Sequence, residues 1–216
     1  MLSPIGHVVK TKMPVHTIGD SHSRDPWNLI PGVTVHHVGP KLCFSVGRDG
    51  ISLEGVVSDG DTIIFCFGEI DCRCHVHKHV SESTSFKVII DSLVDAYVLA
   101  IKCAVSKFPN LRTAIYNAVP PTRKGWCYEN PQFPLLGTDE ERRQYTLYFN
   151  EKVEAACASN GFLYFNIYSH YTDFDGYLLR TLSDGNVHIK DPKYIQSFLS
   201  THIPQADSVM DSKPRS

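Results

Sequence analysis

The sequence has almost no charge imbalance, no long apolar segment and no internal repeat. Its 21 basic and 23 acidic residues give a formal net charge of -2, which gives no electrostatic basis for binding nucleic acid or an anionic membrane. No stretch approaches the ~20 apolar residues that a membrane-spanning helix needs, and the N-terminal residues lack the apolar core of a signal peptide. We therefore expect no membrane span and no nucleic-acid partner.

The number of cysteines is odd, which does not suit a complete disulfide framework. Seven cysteines cannot all pair within one chain, and several lie in apolar runs, as Cys66 does between Phe65 and Phe67. Buried thiols of this kind predict a reducing compartment, so we expect a cytoplasmic protein. Nothing in the sequence indicates an oligomeric state.

The length and composition suit one globular domain. The chain has 216 residues, of which 42% are hydrophobic and 20% charged, values ordinary for a soluble α/β protein. We expect an N-terminal extension over residues 1–13, a domain over 14–204 and a polar, aperiodic and disordered tail over 205–216.

Short apolar runs alternate with longer helical patterns. The predicted strands are 15–18, 33–38, 62–67, 112–119 and 162–168, and the predicted helices are 83–107, 138–160 and 192–199. The third run is continuously apolar, as expected of a central strand buried on both faces. The alternation predicts a three-layer α/β/α sandwich with a mostly parallel five-stranded sheet. In such folds the functional site forms at the carboxyl ends of the strands.

A serine stands directly after the first predicted strand, in Gly19-Asp20-Ser21-His22-Ser23. A strand-to-helix turn exposes a serine hydroxyl and aims neighbouring amides at one point, which supplies a nucleophile and donors for an oxyanion. The same residues also suit an ordinary helix N-cap.

A base for that serine is available near the other end, where Asp184 precedes His188 on a loop before the last predicted helix. The carboxylate would orient the imidazole against Ser21. The alternative is a polar turn with a surface histidine, since the chain has 11 histidines.

Taken in order, these motifs resemble the SGNH (GDSL-type) hydrolase superfamily over residues 14–199. Besides the serine turn and the Asp-His loop, the resemblance rests on the segments 46–50, 67–71 and 117–121. It implies a flavodoxin-like SGNH hydrolase fold in which Ser21 is the nucleophile, His188 the base and Asp184 its orienting acid. It further implies that Gly47 offers an amide to the oxyanion. The expected oxyanion- or substrate-binding side chains are Asp20, Asp71, Arg73 and Asn117.

The chain departs from the superfamily pattern at two points. The asparagine that usually donates to the oxyanion falls on Ile70, whose side chain cannot donate, so Arg73, Asn117 or a backbone amide would have to replace it. The usual Asp-x-x-His becomes Asp184 and His188 with three residues between them. We expect the extra residue to bulge outward, with Asp191 as the other nearby carboxylate.

The segment 71–79 is dense in metal-ligand types, and its alternate histidines 75, 77 and 79 would share one side of an extended segment. Zinc suits such residues, but no second ligand cluster follows at finger spacing. We therefore expect no metal and no cofactor. The segment is expected to line the substrate cleft instead, with Asp71 and Arg73 as a buried pair or an anion contact.

The segment 168–177 mixes aromatic and acidic residues, which suits either carbohydrate stacking or an ordinary packed loop. Its Asp173-Phe174-Asp175 also matches the Asp-x-Asp of nucleotide-sugar transferases, although no glycine-rich nucleotide loop accompanies it. The sequence thus predicts a serine esterase or acyltransferase acting on a small or carbohydrate-linked acyl ester. The alternative is a non-hydrolytic SGNH-like binding or sugar-modifying, glycosyltransferase-type module within a glycan-building protein.

Overall fold

The computed structural model describes residues 13–203. The predicted disordered tail lies outside the described residues, as does nearly all of the predicted extension. Within them, five parallel strands form one sheet: β1 (Val15–Gly19), β2 (Val33–His37), β3 (Thr62–Cys66), β4 (Arg112–Tyr116) and β5 (Leu163–Phe165). Their order is β2-β1-β3-β4-β5, the flavodoxin-like arrangement. The predicted fold class is confirmed.

In the described part of the chain, four α-helices accompany the sheet: α1 (Cys43–Asp49), α2 (Phe86–Val105), α3 (Asp139–Asn160) and α4 (Lys193–His202). The start of α3 is set by a capping box, in which Thr138 and Glu141 bond each other's backbone amides. Its end is set by Gly161, which adopts the left-handed conformation with φ 68°. α1 was not expected, because its seven residues are too few to show a clear helical period.

The two faces of the sheet are covered unequally. Side chains alternate along each strand, so that Ile18, Ile63 and Phe65 pack against α1, α2 and α3. On the opposite face Ile64 and Cys66 pack in a second core with α4 and with Trp27. Every residue of β1 and β3 is buried, and the two strands are neighbours inside the sheet. Their ends therefore lie near the centre of the carboxyl edge.

All seven cysteines lie within the described residues and are free thiols. Among the helices of residues 13–203, none combines the length and apolar character that crossing a bilayer requires.

Candidate active site

The turn that carries Ser21 begins where β1 ends. Gly19 runs so close to β3 that a Cβ there would overlap the carbonyl oxygen of Cys66, and a larger residue could not bring the chain through this point. Asp20 then caps the short 3₁₀ turn Ser21–Ser23, its Oδ1 accepting the amide of His22 at 2.8 Å. Asp20 therefore caps the turn, and the half-buried Ser21 hydroxyl is free to bond other partners.

Ser21, His188 and Asp184 form a continuous hydrogen-bonded chain. The Nε2 atom of His188 lies 2.9 Å from Ser21 Oγ, and its Nδ1 lies 2.9 Å from Asp184 Oδ2. Ser21 and His188 are 167 positions apart in the sequence. They meet because the parallel sheet brings the segments after β1 and β5 to the same edge.

The extra residue between Asp184 and His188 is absorbed in a turn. Gly185 takes the left-handed conformation with φ 85°, which favours glycine, and backbone pairing of Ser183 with Ile189 closes the turn. Asp184 Oδ1 accepts the amides of Asn186 at 2.8 Å and His188 at 3.3 Å. These bonds hold the carboxylate in place beside the imidazole.

Asp191, the other carboxylate considered from the sequence, has a different contact. Its Oδ1 accepts the amide of Lys193 at 3.0 Å, at the first residue of α4. The only carboxylate hydrogen-bonded to His188 among the described residues is therefore Asp184.

The neighbours of His188 favour its neutral form. Burial and the adjacent His22 lower the pKa of His188 below its ordinary value, although Asp184 acts in the opposite direction. The pKa of Asp184 is also lowered, because its bonds to His188 and to backbone amides outweigh partial burial. The pair can thus accept a proton from Ser21 on Nε2 while Nδ1 donates to the carboxylate.

Gly47 does not lie where the resemblance placed it. It is inside α1, so its amide belongs to the helical hydrogen-bond pattern. A Cβ at Gly47 would come within 2.9 Å of the Ala96 Cβ, which shows that this glycine allows close packing of α1 on α2. The expectation that it donates to an oxyanion is wrong for this reason.

Asp71 and Asp20 are committed to the fold. Asp71 is fully buried, and its two carboxylate oxygens accept the amides of Cys43 at 2.7 Å and Phe44 at 3.2 Å, capping the start of α1. Burial raises the pKa of Asp71 to about 7 despite these two bonds. Asp20 is likewise fully buried and faces His22. Neither carboxylate contacts open substrate space, so both were wrongly expected to bind substrate.

Arg73 and Asn117 are also engaged elsewhere. Arg73 pairs with Glu69 through Nε at 2.7 Å and donates to the carbonyl of Phe133 at 2.6 Å, so the expected pair with Asp71 does not form. Asn117 is buried, accepting the amide of Ile167 at 2.9 Å and donating to the carbonyl of Ala118. Asn117 thus connects the end of β4 to the segment after β5. Neither Arg73 nor Asn117 supplies the hydrogen-bond donor that the Ile70 side chain lacks.

Gly39, on the loop between β2 and α1, is another candidate for the glycine that donates to the oxyanion. The neighbouring amide of Val38 donates to the carbonyl of Gly19 at 2.9 Å, which fixes this loop beside the Ser21 turn. Gly39 has φ 81°, and a Cβ there would meet no atom within 4 Å. The sequence signal for Gly39 is the Gly39-Pro40 pair directly after the second predicted strand.

The cysteine- and histidine-rich segment 71–79 is helical and not extended. His75 and His79 consequently meet edge to face, with ring centres 4.6 Å apart, while His77 bonds the Tyr145 hydroxyl. Across residues 13–203, no group of three or more histidine, cysteine or acidic side chains is arranged to hold a metal.

The aromatic segment after β5 is a tightly bonded loop. Asp173 Oδ1 accepts the amides of Asp175 and Tyr177, and Arg123 pairs with Asp173 and Asp175 while lying 4.0 Å from the centre of the Tyr177 ring. Phe174, at the tip, is 98% exposed. The carboxylates are thus paired with an arginine.

Two residues beside the triad were not selected from the sequence, His22 and Glu69. His22 is buried next to His188, with ring centres 4.9 Å apart, and Glu69 is buried behind it with Arg73. His22 lies inside the serine motif, and Glu69 lies in the segment 67–71 directly before Ile70. No short-range pattern distinguishes either from a solvent-exposed polar residue.

Comparison with solved structures identifies the architecture. A GDSL-like lipase from Bacteroides thetaiotaomicron VPI-5482 has a TM-score of 0.59 at 10% identity, over 87% of this chain and 86% of that one. Phospholipase A1 from Streptomyces albidoflavus NA297 has a TM-score of 0.58 at 11% identity, over 88% and 99%. The chain has the SGNH hydrolase fold.

A further structure with the SGNH fold, a candidate platelet activating factor from Streptococcus pneumonia, gives a TM-score of 0.62 at 15% identity, over 90% of this chain and 86% of that one. No protein-family model and no curated protein matches the sequence. At such identities the likeness establishes the fold, and the chemistry has to be argued from the side chains.

Proposed function

We propose that the protein is a serine hydrolase of the SGNH type that cleaves a carboxylic ester. The observation that carries the proposal is the Ser21–His188–Asp184 chain, with both hydrogen bonds at 2.9 Å. The alignment of a hydroxyl, an imidazole and a carboxylate at the carboxyl edge of a parallel sheet is the arrangement that acyl transfer needs.

In this reaction Ser21 Oγ attacks the acyl carbonyl and its proton passes to Nε2 of His188. Asp184 stabilises the resulting imidazolium. The tetrahedral intermediate collapses when Nε2 returns the proton to the leaving alcohol, which leaves an acyl group on Ser21. Water, activated by the same nitrogen, then releases the acid. A second alcohol in place of water would make the reaction an acyl transfer.

Backbone amides stabilise the oxyanion, since the Ile70 side chain cannot donate a hydrogen bond. We assign this role to the amide of Ser21 and to the loop at Gly39, which the Val38–Gly19 hydrogen bond holds next to the serine turn. Losing a single side-chain donor typically slows such reactions by ~10²–10³, so modest turnover is expected. A small or carbohydrate-linked acyl ester is the proposed substrate. The exposed aromatic ring of Phe174, on a loop after β5, supports the carbohydrate version.

The test is labelling with an alkyl fluorophosphonate, followed by mass mapping of the modified peptide. We expect one label per chain on Ser21, and hydrolysis of short acyl esters and acetylated sugars. Ser21→Ala should abolish both without changing the circular dichroism spectrum. Ser200→Ala, an exposed serine on α4, is the matched control.

A folded wild-type protein that takes no label and cleaves no ester would contradict the proposal. That result would favour the non-hydrolytic alternative, a binding or sugar-modifying module. Incubation with an acyl donor and a sugar acceptor separates transfer from hydrolysis, because only transfer yields an acylated sugar.

A further inference from the structure

Each ring nitrogen of His22, next to the nucleophile, meets a hydrogen-bond acceptor. Its Nδ1 lies 3.1 Å from Asp20 Oδ1, and its Nε2 lies 3.3 Å from the carbonyl oxygen of Val187. Glu69 Oε2 lies 4.0 Å from the same Nε2. A neutral imidazole carries one N–H and one acceptor nitrogen, whereas the protonated ring donates from both. Hydrogen bonds from the ring to both acceptors at once therefore require the protonated form.

Because His22 is buried, its partners decide whether the ring can carry a charge. The side chain is 4% exposed, and Asp20 and Glu69 are buried with it. A buried charge is tolerated only when it is paired and hydrogen-bonded. The surrounding charges alternate in sign: Asp20 on the serine turn, His22, then Glu69 and Arg73 from the segment after β3.

The contact with Val187 links this network to the base. Val187 immediately precedes His188, so the hydrogen bond from His22 Nε2 fixes the backbone from which the catalytic imidazole projects. The rings of His22 and His188 are 4.9 Å apart and inclined by 44°. The His22 ring thus touches the base from one side, while Asp184 bonds it from another.

We propose that His22 is a positioning residue for His188: held as a cation between Asp20 and Glu69, its ring fixes Val187 and thereby the imidazole that serves Ser21. The inference rests on the proposed function. It adds a second, charged histidine to the site and explains why a buried run of four ionisable groups lies beside the nucleophile.

Two effects follow for the reaction. The hydrogen bond keeps Nε2 of His188 within reach of Ser21, where a displacement of about 1 Å can cost ~10²-fold in rate. The positive charge discourages protonation of His188, and the pKa of His188 is lowered by burial and by His22. The titratable and charged groups that face His22 are Asp20, Glu69, Arg73 and His188. Removing the cation removes a cause that lowers the pKa of His188 and leaves Asp184 and Glu69 to raise it.

The test is the pH dependence of fluorophosphonate labelling of Ser21 in full-length wild-type protein, His22→Gln and His22→Leu. Glutamine can still donate to the Val187 carbonyl but carries no charge. Leucine can neither donate a hydrogen bond nor carry a charge. We expect His22→Gln to slow labelling about tenfold and His22→Leu about 100-fold. Both should move the acidic limb to higher pH. His202→Gln, an exposed histidine on α4, should match the wild type.

Wild-type reactivity separates the two proposals. If the wild type is labelled and both variants keep its rate and its acidic limb, the positioning role is overturned while the proposed function stands. If the wild type is unreactive at every pH, the proposed function fails, and the positioning role that rests on it fails too. A uniform loss of rate with an unmoved limb would also overturn the inference, because packing alone gives that result.

A measurement on the unmodified protein keeps the inference testable if the variants fail to fold. Nitrogen-15 NMR of the histidine rings reports which nitrogens carry protons. We expect both nitrogens of His22 to remain protonated over the pH range in which His188 titrates. A His22 ring that becomes neutral at a lower pH than His188 would overturn the assignment.

Discussion

His22 and His188 are neighbouring histidines whose surroundings favour opposite protonation states. Burial acts on both rings and disfavours the charged form of each. At His22, Asp20 and Glu69 overcome this effect and raise the pKa above its ordinary value. At His188, the positive charge of His22 adds to burial, and the pKa is lowered.

The difference shows that the partner groups decide the role of a buried histidine. His22 lies between a carboxylate and a carbonyl, which can only accept. His188 lies between a carboxylate and a hydroxyl that can donate. The first arrangement favours the protonated ring, and the second leaves one nitrogen able to accept a proton. Five predictions test this contrast.

Replacing the base should have the largest effect. His188→Gln removes the proton acceptor from Ser21, and in serine hydrolases loss of the histidine costs roughly 10⁶ in turnover. We expect ester hydrolysis to fall to background while the melting temperature changes little. An active His188→Gln protein would show that the histidine is not the base.

The orienting carboxylate should come next. Asp184→Asn keeps the shape but favours the wrong tautomer of His188, a change that costs about 10⁴ in turnover at equivalent sites. Asp191→Asn is the matched control and should stay close to the wild type. If Asp191→Asn is the more damaging substitution in initial-rate assays, the assignment of Asp184 is wrong.

The buried partner of His22 should matter most for stability. Asp20→Ala removes a cap and leaves His22 beside a cavity, so we expect the free energy of unfolding to fall by about 3 kcal/mol. Asp184→Ala, at a partly exposed site, should cost about 1 kcal/mol. Urea denaturation at neutral pH measures both. Equal losses would mean that the buried network contributes no more than the surface turn.

The pH profile provides a direct test of the base. His188 must be neutral to accept the serine proton, and its pKa is lowered by burial and by His22. Activity should therefore rise with pH and reach half its plateau below about pH 6.5, the ordinary histidine value. A midpoint above that value in kcat/KM, measured on stably folded protein, would contradict the described environment.

Gly47→Ala should have the smallest effect on catalysis. The added Cβ would press on Ala96 of α2, and overpacking of this kind costs about 1–3 kcal/mol of stability. We expect a lower melting temperature with an unchanged rate of Ser21 labelling. A rate loss of ~10² without destabilisation would restore Gly47 to the oxyanion site.

Local sequence patterns were sufficient for most of the architecture. Continuous burial of β3, the capping box at Thr138 and the stop at Gly161 each act through near neighbours, so they can be read from the residues themselves. The order of the motifs was sufficient to select Ser21, Asp184 and His188, because the fold brings the ends of parallel strands together.

The same patterns could not place polar residues whose partners are distant in the chain. Asp71 follows β3 like a site residue, but it caps α1 from 28 positions away, and Asn117 joins two strand ends across 50 positions. Gly47 resembles an oxyanion glycine in the sequence, but it lies in α1 and allows α1 to pack closely on α2. A carboxylate, an amide and a glycine each have structural and functional uses, and composition alone does not separate them.

Local patterns predicted the five strands and every α-helix except α1, and the order of the motifs identified Ser21, His188 and Asp184. The folded chain adds that the surroundings of His22 and His188 favour opposite protonation states. That distinction depends on whether each ring nitrogen meets a donor or an acceptor. The decisive contacts, from His22 to Val187 and from His188 to Ser21, span 165 and 167 positions.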